Sequence, residues 1–112
     1  MAEKLQNYAA FWPYYLSEHQ SARSRRLHFI GTALGLCLVF LALATQTWWL
    51  LVAALVSGYT FAWIGHAFVE RNKPATFTYP LWSLLSDFRM FFLWMTGRLE
   101  QEYVRLGIDQ RP

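Results

Sequence analysis

The chain has 112 residues, of which 55% are hydrophobic, 19% aromatic and only 15% charged. That length supports one domain, and a charged fraction well under the roughly 25% of soluble domains argues against a soluble one, because a domain this small has much surface and few residues to cover it. The formal charge of +3 is concentrated beside apolar runs, with Arg23, Arg25 and Arg26 before the first and Arg71 and Lys73 after the second; this suits anionic lipid headgroups and leaves no nucleic-acid footprint, since no aromatic residues interleave with the basic ones.

The expected architecture is all-α: a small integral membrane helical bundle with an N-terminal interfacial amphipathic helix, occupying residues 1–112 as one domain. The interfacial helix is expected over 4–20. Leu5, Tyr8, Ala9, Trp12, Tyr15, Leu16 and His19 recur there at three- and four-residue steps, the spacing of one helix face. Pro13 either kinks this helix or opens a second short one, and Phe11, Trp12, Tyr14 and Tyr15 are residue types of the membrane–water interface. No charged-then-apolar signal-peptide pattern precedes it, so insertion is expected to use the internal apolar segments.

After the basic junction Ser21–Arg26, the first apolar helix is expected at about 27–44. Gly31 and Gly35 within it form a small-xxx-small pair that suits close helix contact in lipid. Cys37, the one cysteine, reads as a buried core thiol. Thr45-Gln46-Thr47 is the polar tip of a helical hairpin. The second apolar helix follows at about 48–70, with Trp48 and Trp49 at the far interface. Both basic clusters then share one side, which the positive-inside rule makes cytoplasmic; the compact form points to a bacterial inner membrane.

The hairpin has a geometric consequence. His28 lies 18 residues before Gln46 and His66 lies 20 after it. At about 1.5 Å per residue their depths differ by only roughly 3 Å. His19 is one basic linker away on the same side, so all three histidines can meet at one membrane surface. Glu70, four residues past His66, shares its face if the segment is α-helical. A loop from Arg71 to Pro80 leads to a third apolar helix at about 80–97, interrupted by Asp87 and Arg89, charges that usually face a bundle interior or a wet cavity. An amphipathic tail over 98–107 ends at Gly107.

Other catalytic layouts are missing: there is no glycine-rich phosphate loop and no nucleophile elbow, and Cys37 is remote from the histidines. The remaining set is His19, His28, His66 and Glu70, with Asp87 in reserve. Imidazoles with a carboxylate and open positions suit non-haem Fe(II), with zinc the other candidate. Two further readings stay open at this point: a non-catalytic membrane protein with a structural or regulatory metal, and bis-histidine haem binding between the hairpin helices, with Gly31 and Gly65 making room.

His19-Gln20-Ser21-Ala22-Arg23-Ser24-Arg25-Arg26-Leu27-His28, followed by Trp63 to Ala75 with Gly65-His66, Glu70 and Pro74-Ala75, resembles the 2-hydroxy fatty acid dioxygenase-like family of small multi-pass membrane proteins. Longer members carry extra segments between the two motifs, so this chain is a short form. The resemblance implies Fe(II)-dependent α-oxidation, in which O2 is used to shorten a 2-hydroxy fatty acid by one carbon. It implies His19, His28, His66 and Glu70 as metal and catalytic residues. Arg26, Arg71, Lys73 and Asp87 are the expected substrate-binding residues, and the acyl chain would lie between the apolar helices. The sequence leaves the oligomeric state open.

Overall fold

The computed structural model describes residues 4–112, and every regular element among them is helical. The first helix, α1 (Tyr8–Ser17), starts where the Asn7 side chain accepts the Ala10 N–H at 2.9 Å, which satisfies one of the free donors of the first turn. Pro13 sits inside α1 without ending it. The helix buries Phe11, Trp12, Tyr15 and Leu16, which join Met90, Phe91, Leu99 and Tyr103 in the core cluster.

The hairpin grows out of that core. Its first arm, α2 (Ala22–Thr45), begins ahead of the apolar run because the Ser21 hydroxyl accepts the Arg23 N–H and caps the helix. At 24 residues it is about 36 Å long. Gln46, at φ 52°, ends it in the left-handed region, and the N–H groups of Gln46 and Thr47 both turn back to the Ala42 carbonyl. The second arm, α3 (Trp49–Ile64), then runs antiparallel and passes at Gly65 into a π-helical turn, Gly65–Glu70.

The arms approach closely along a line of small residues. A Cβ on Gly31 would lie 2.9 Å from the Phe61 Cβ and 3.1 Å from the Gly58 carbonyl oxygen, and one on Gly35 would lie 3.3 Å from the Ala54 carbonyl oxygen. Both arms are long and apolar enough to cross a membrane, and only 22% and 28% of their most apolar stretches are covered by protein. Phe40, Val52 and Val56 stand on the uncovered faces. Cys37 is exposed there as well, which corrects its expected place in the core: its side of α2 has no neighbour.

A 3-10 turn, Ala75–Phe77, leads to α4 (Pro80–Met95), which opens with Pro80 in its first turn, where a missing N–H costs nothing. Gly97, at φ 72°, makes the corner into α5 (Leu99–Leu106). Glu100 and Glu102 in its first turn and Arg105 in its last complement the helix dipole. Beyond Gly107 the tail returns to the start of α2. The Ala22 N–H donates to the Arg111 carbonyl and the Arg111 N–H to the Gln20 carbonyl, each at 2.8 Å.

The contact at Gly31 is tested by Gly31→Leu. Overpacking at so tight a crossing is expected to cost about 1–3 kcal/mol and to lower the thermal unfolding midpoint in detergent. An unchanged midpoint would contradict the close approach of the two arms.

Candidate metal centre

Three elements each deliver one imidazole. His19 follows the end of α1, where its N–H donates to the Leu16 carbonyl at 3.0 Å. His28 lies in the second turn of α2, and His66 opens the π-helical turn. That turn packs against α2 at Gly65, where a Cβ would stand 3.4 Å from the Ser24 Cβ, in ordinary van der Waals contact. Short π segments inside helices recur at functional sites. Here Arg71, at φ 59°, closes the turn, and the N–H groups of Arg71 and Asn72 both reach back to the His66 carbonyl.

All three imidazoles are buried, at 1%, 5% and 3% exposure for His19, His28 and His66, and each is oriented from behind. His19 Nδ1 donates to the Tyr15 carbonyl at 2.7 Å. His66 Nδ1 donates to the Asn72 side-chain oxygen at 2.7 Å, and the Asn72 amide nitrogen in turn donates to the Glu18 carbonyl at 3.1 Å. His28 Nδ1 faces an Asp87 oxygen at 3.6 Å, and Asp87 accepts a hydrogen bond from the Tyr15 hydroxyl. The acceptors behind His19 and His66 place the proton on Nδ1 of those two rings and turn their Nε2 lone pairs inward, whereas His28 Nδ1 has only the longer contact with Asp87. The Nε2 atoms of His19 and His28 are 3.0 Å apart and those of His28 and His66 3.4 Å, and the three groups offer ligand atoms all within 4.8 Å of one another.

At these separations the His28 Nε2 donates a hydrogen bond to a neighbouring imidazole when it carries the proton, and joins the other two as a ligand atom when the proton is on Nδ1. The His19–His28 and His28–His66 separations are those that one bound ion imposes. Nitrogens held about 2.0–2.1 Å from a metal, at angles between square and tetrahedral, lie about 2.8–3.4 Å from each other. The donor set therefore fits a metal ion. It does not fit a haem between His28 and His66, since His19 occupies the space a macrocycle would need. Burial, reinforced by the two neighbouring imidazoles, holds the His19 pKa well below the usual histidine value, and so keeps its ring neutral, the form that binds metals. Burial also pushes the Asp87 carboxyl up to about 7, against the opposing hydrogen bond from Tyr15.

The structure does not bring Glu70 into this group. Its buried carboxylate accepts the Ser21 N–H at 2.7 Å, the Ser24 hydroxyl and the Arg111 guanidinium at 2.5 Å. The expectation of a shared face with His66 assumed α-helical pitch. The π turn rotates the chain less per residue and swings Glu70 toward the start of α2, where Arg111 and the positive helix end receive its charge. Arg26, Arg71 and Lys73 are exposed on the outer surface, whereas Asp87 sits beside the imidazoles.

Several supporting residues escaped the sequence reading. Arg25 is buried and donates to the His19 and Gln20 carbonyls at 2.6 and 2.8 Å, with its guanidinium over the Tyr103 ring. The Tyr103 hydroxyl donates to the same His19 carbonyl at 2.7 Å. Tyr15, four residues before His19, could have been found from helical spacing, and Asn72 from its place beside the histidine motif. Nothing local marks Tyr103 or Arg111.

A cavity of about 320 Å³ opens from this centre. It starts at His28 and Asp87 and continues between α2, α3 and α4 along an almost wholly apolar wall.

No curated protein and no solved structure matches the chain. A family model described as 2-hydroxy-palmitic acid dioxygenase Mpo1-like matches residues 5–99, a stretch that contains all three histidines, Glu70 and Asp87 and stops short of the returning tail. The chain belongs to this Mpo1-like family.

Proposed function

We propose that the protein is a membrane-embedded non-haem iron dioxygenase that shortens a 2-hydroxy fatty acid by α-oxidation. The observation that carries this reading is the set of three buried imidazoles whose ligand nitrogens lie within 4.8 Å of one another, within a chain of the Mpo1-like family. His19, His28 and His66 hold the ion. Fe(II), when bound, supplies the capacity to engage O2 and a chelating 2-hydroxy acid.

The remaining roles belong to the protein's own groups. Tyr15, Asn72 and Asp87 fix the ring orientations by accepting or facing the Nδ1 protons. Asp87 also lines the cavity, where it can orient the polar head of the substrate. Arg26, Arg71 and Lys73 draw the carboxylate toward the membrane surface without touching the reacting carbons. Glu70 ties the π turn that carries His66 to the Ser21–Ser24 segment, which lies between His19 and His28, and so acts as a positioning residue.

In this reading α2 and α3 cross the bilayer, with their uncovered faces in lipid and the basic end of the hairpin at the cytoplasmic face of a bacterial inner membrane. Cysteines placed singly at Gln46 and at exposed Arg23, in a Cys37→Ser background, are expected to react with impermeant reagent from opposite sides. Labelling from one side would remove the spanning hairpin.

The metal assignment is tested by His28→Ala and His66→Ala in protein purified without chelator. Each variant is expected to lose at least 90% of the bound iron, that is, roughly tenfold in affinity or more, together with O2 consumption driven by a 2-hydroxy fatty acid. Full iron content in both would show the imidazoles to be structural. Iron retained by wild-type protein without any O2 consumption would favour a regulatory metal instead.

Glu70→Gln separates positioning from ligation when paired with Arg111→Ala. A positioning role predicts that both variants weaken iron binding in the same direction, within the roughly 10–100-fold range of lost outer-shell support. Loss of iron in Glu70→Gln with no change in Arg111→Ala would instead make Glu70 a ligand.

A further inference from the structure

We propose that the cavity leading away from His28 is a ruler for the acyl chain, with Gly58 near its head and Leu51 at its far end setting the length it accepts; this rests on the function proposed above. The polar groups are gathered at one end. His28 and Asp87 form the head, Thr32 and Tyr59 line the wall within about one turn below it, and from Leu36 onward the wall is aliphatic down to Val39 and Leu51. One polar end and one long apolar arm match a single-headed linear amphiphile. The volume of about 320 Å³ lies at the small end of the range for ligand sites, about 300–1,000 Å³.

The length follows from the helix that forms the wall. His28 to Val39 is 11 residues, or roughly 16 Å of helix axis. With carbon–carbon bonds of about 1.52 Å and angles near 111°, an extended chain advances about 1.25 Å per carbon, so the groove holds about 13 carbons. That is close to a palmitoyl tail, the acyl length in the family's own description.

The rungs of the ruler are set by the antiparallel arms. Gly31 faces Gly58 and Gly35 faces Ala54, so Gly58 stands about one turn below His28, and Leu51 faces the level of Val39 at the bottom. The two central glycines differ in kind. A side chain on Gly31 would strike the partner helix, whereas a Cβ on Gly58 would meet only the Gly31 carbonyl oxygen, at 3.9 Å. Helix packing therefore does not require glycine at 58. What its missing side chain leaves open is the mouth of the groove.

The test uses Gly58→Leu and Leu51→Trp in the full-length protein, with 2-hydroxy acids of graded chain length. Binding is read on metal-depleted protein and turnover on iron-loaded protein. Gly58→Leu is expected to lower the ratio of long-chain to short-chain binding at least tenfold, and Leu51→Trp to affect only the longest acids. The turnover ratios should follow the same order. Iron content should match wild type in both. Unchanged length preference in both variants would overturn the ruler, as would an equal loss at every chain length. Should Gly58→Leu fail to fold, Leu51→Trp alone decides, because a shifted upper limit is required of it. A length preference that shifts in binding while wild-type protein holds no iron would uphold the ruler and defeat the metal reading.

Discussion

Three imidazoles buried together, their Nε2 atoms turned toward one another, are the constraint that the rest of this structure serves. Inward lone pairs repel one another, and burying them without a donor is unfavourable. The arrangement holds because every Nδ1 has an acceptor or a carboxylate behind it: the Tyr15 carbonyl, the Asn72 side chain and Asp87. Three nitrogens so gathered offer a cation a ligand set.

The fold divides its work accordingly. Aromatic packing among α1, α4 and α5 makes a rigid head, and the hairpin α2–α3 extends from it with its outer faces bare. The histidines sit at the joint between the two. There Glu70 accepts hydrogen bonds from Ser21, Ser24 and Arg111, so that one buried carboxylate holds together the π turn, the start of α2 and the returning tail. Arg25 and Tyr103 bind the backbone carbonyl of His19 from the other side. The residues that fix the centre are thus drawn from both ends of the chain.

Much of this was legible in the sequence, where a short polar break separates two apolar arms. Counting residues from Gln46 puts His28 and His66 at one depth, and the basic linker brings His19 to the same end, because helix rise is nearly constant. The identity of the carboxylate beside the imidazoles was not legible in the same way. Spacing nominated Glu70, but the π turn after Gly65 breaks the α-helical pitch on which that inference depends, and Asp87, 21 residues past His66 in sequence, faces His28 instead. The role of Arg111 depends on the tail folding back onto Ser21, a long-range contact with no local signature. Cys37 was misplaced for a related reason: apolar surroundings in sequence do not distinguish a core from a face with no protein neighbour.

In the proposed site, three imidazole nitrogens share one iron ion. X-ray absorption at the iron edge, on protein purified without chelator, measures this directly. Stoichiometric iron with three imidazole scatterers around it and no porphyrin signature is the expected result. Protein free of metal, or iron surrounded by oxygen scatterers alone, would contradict it.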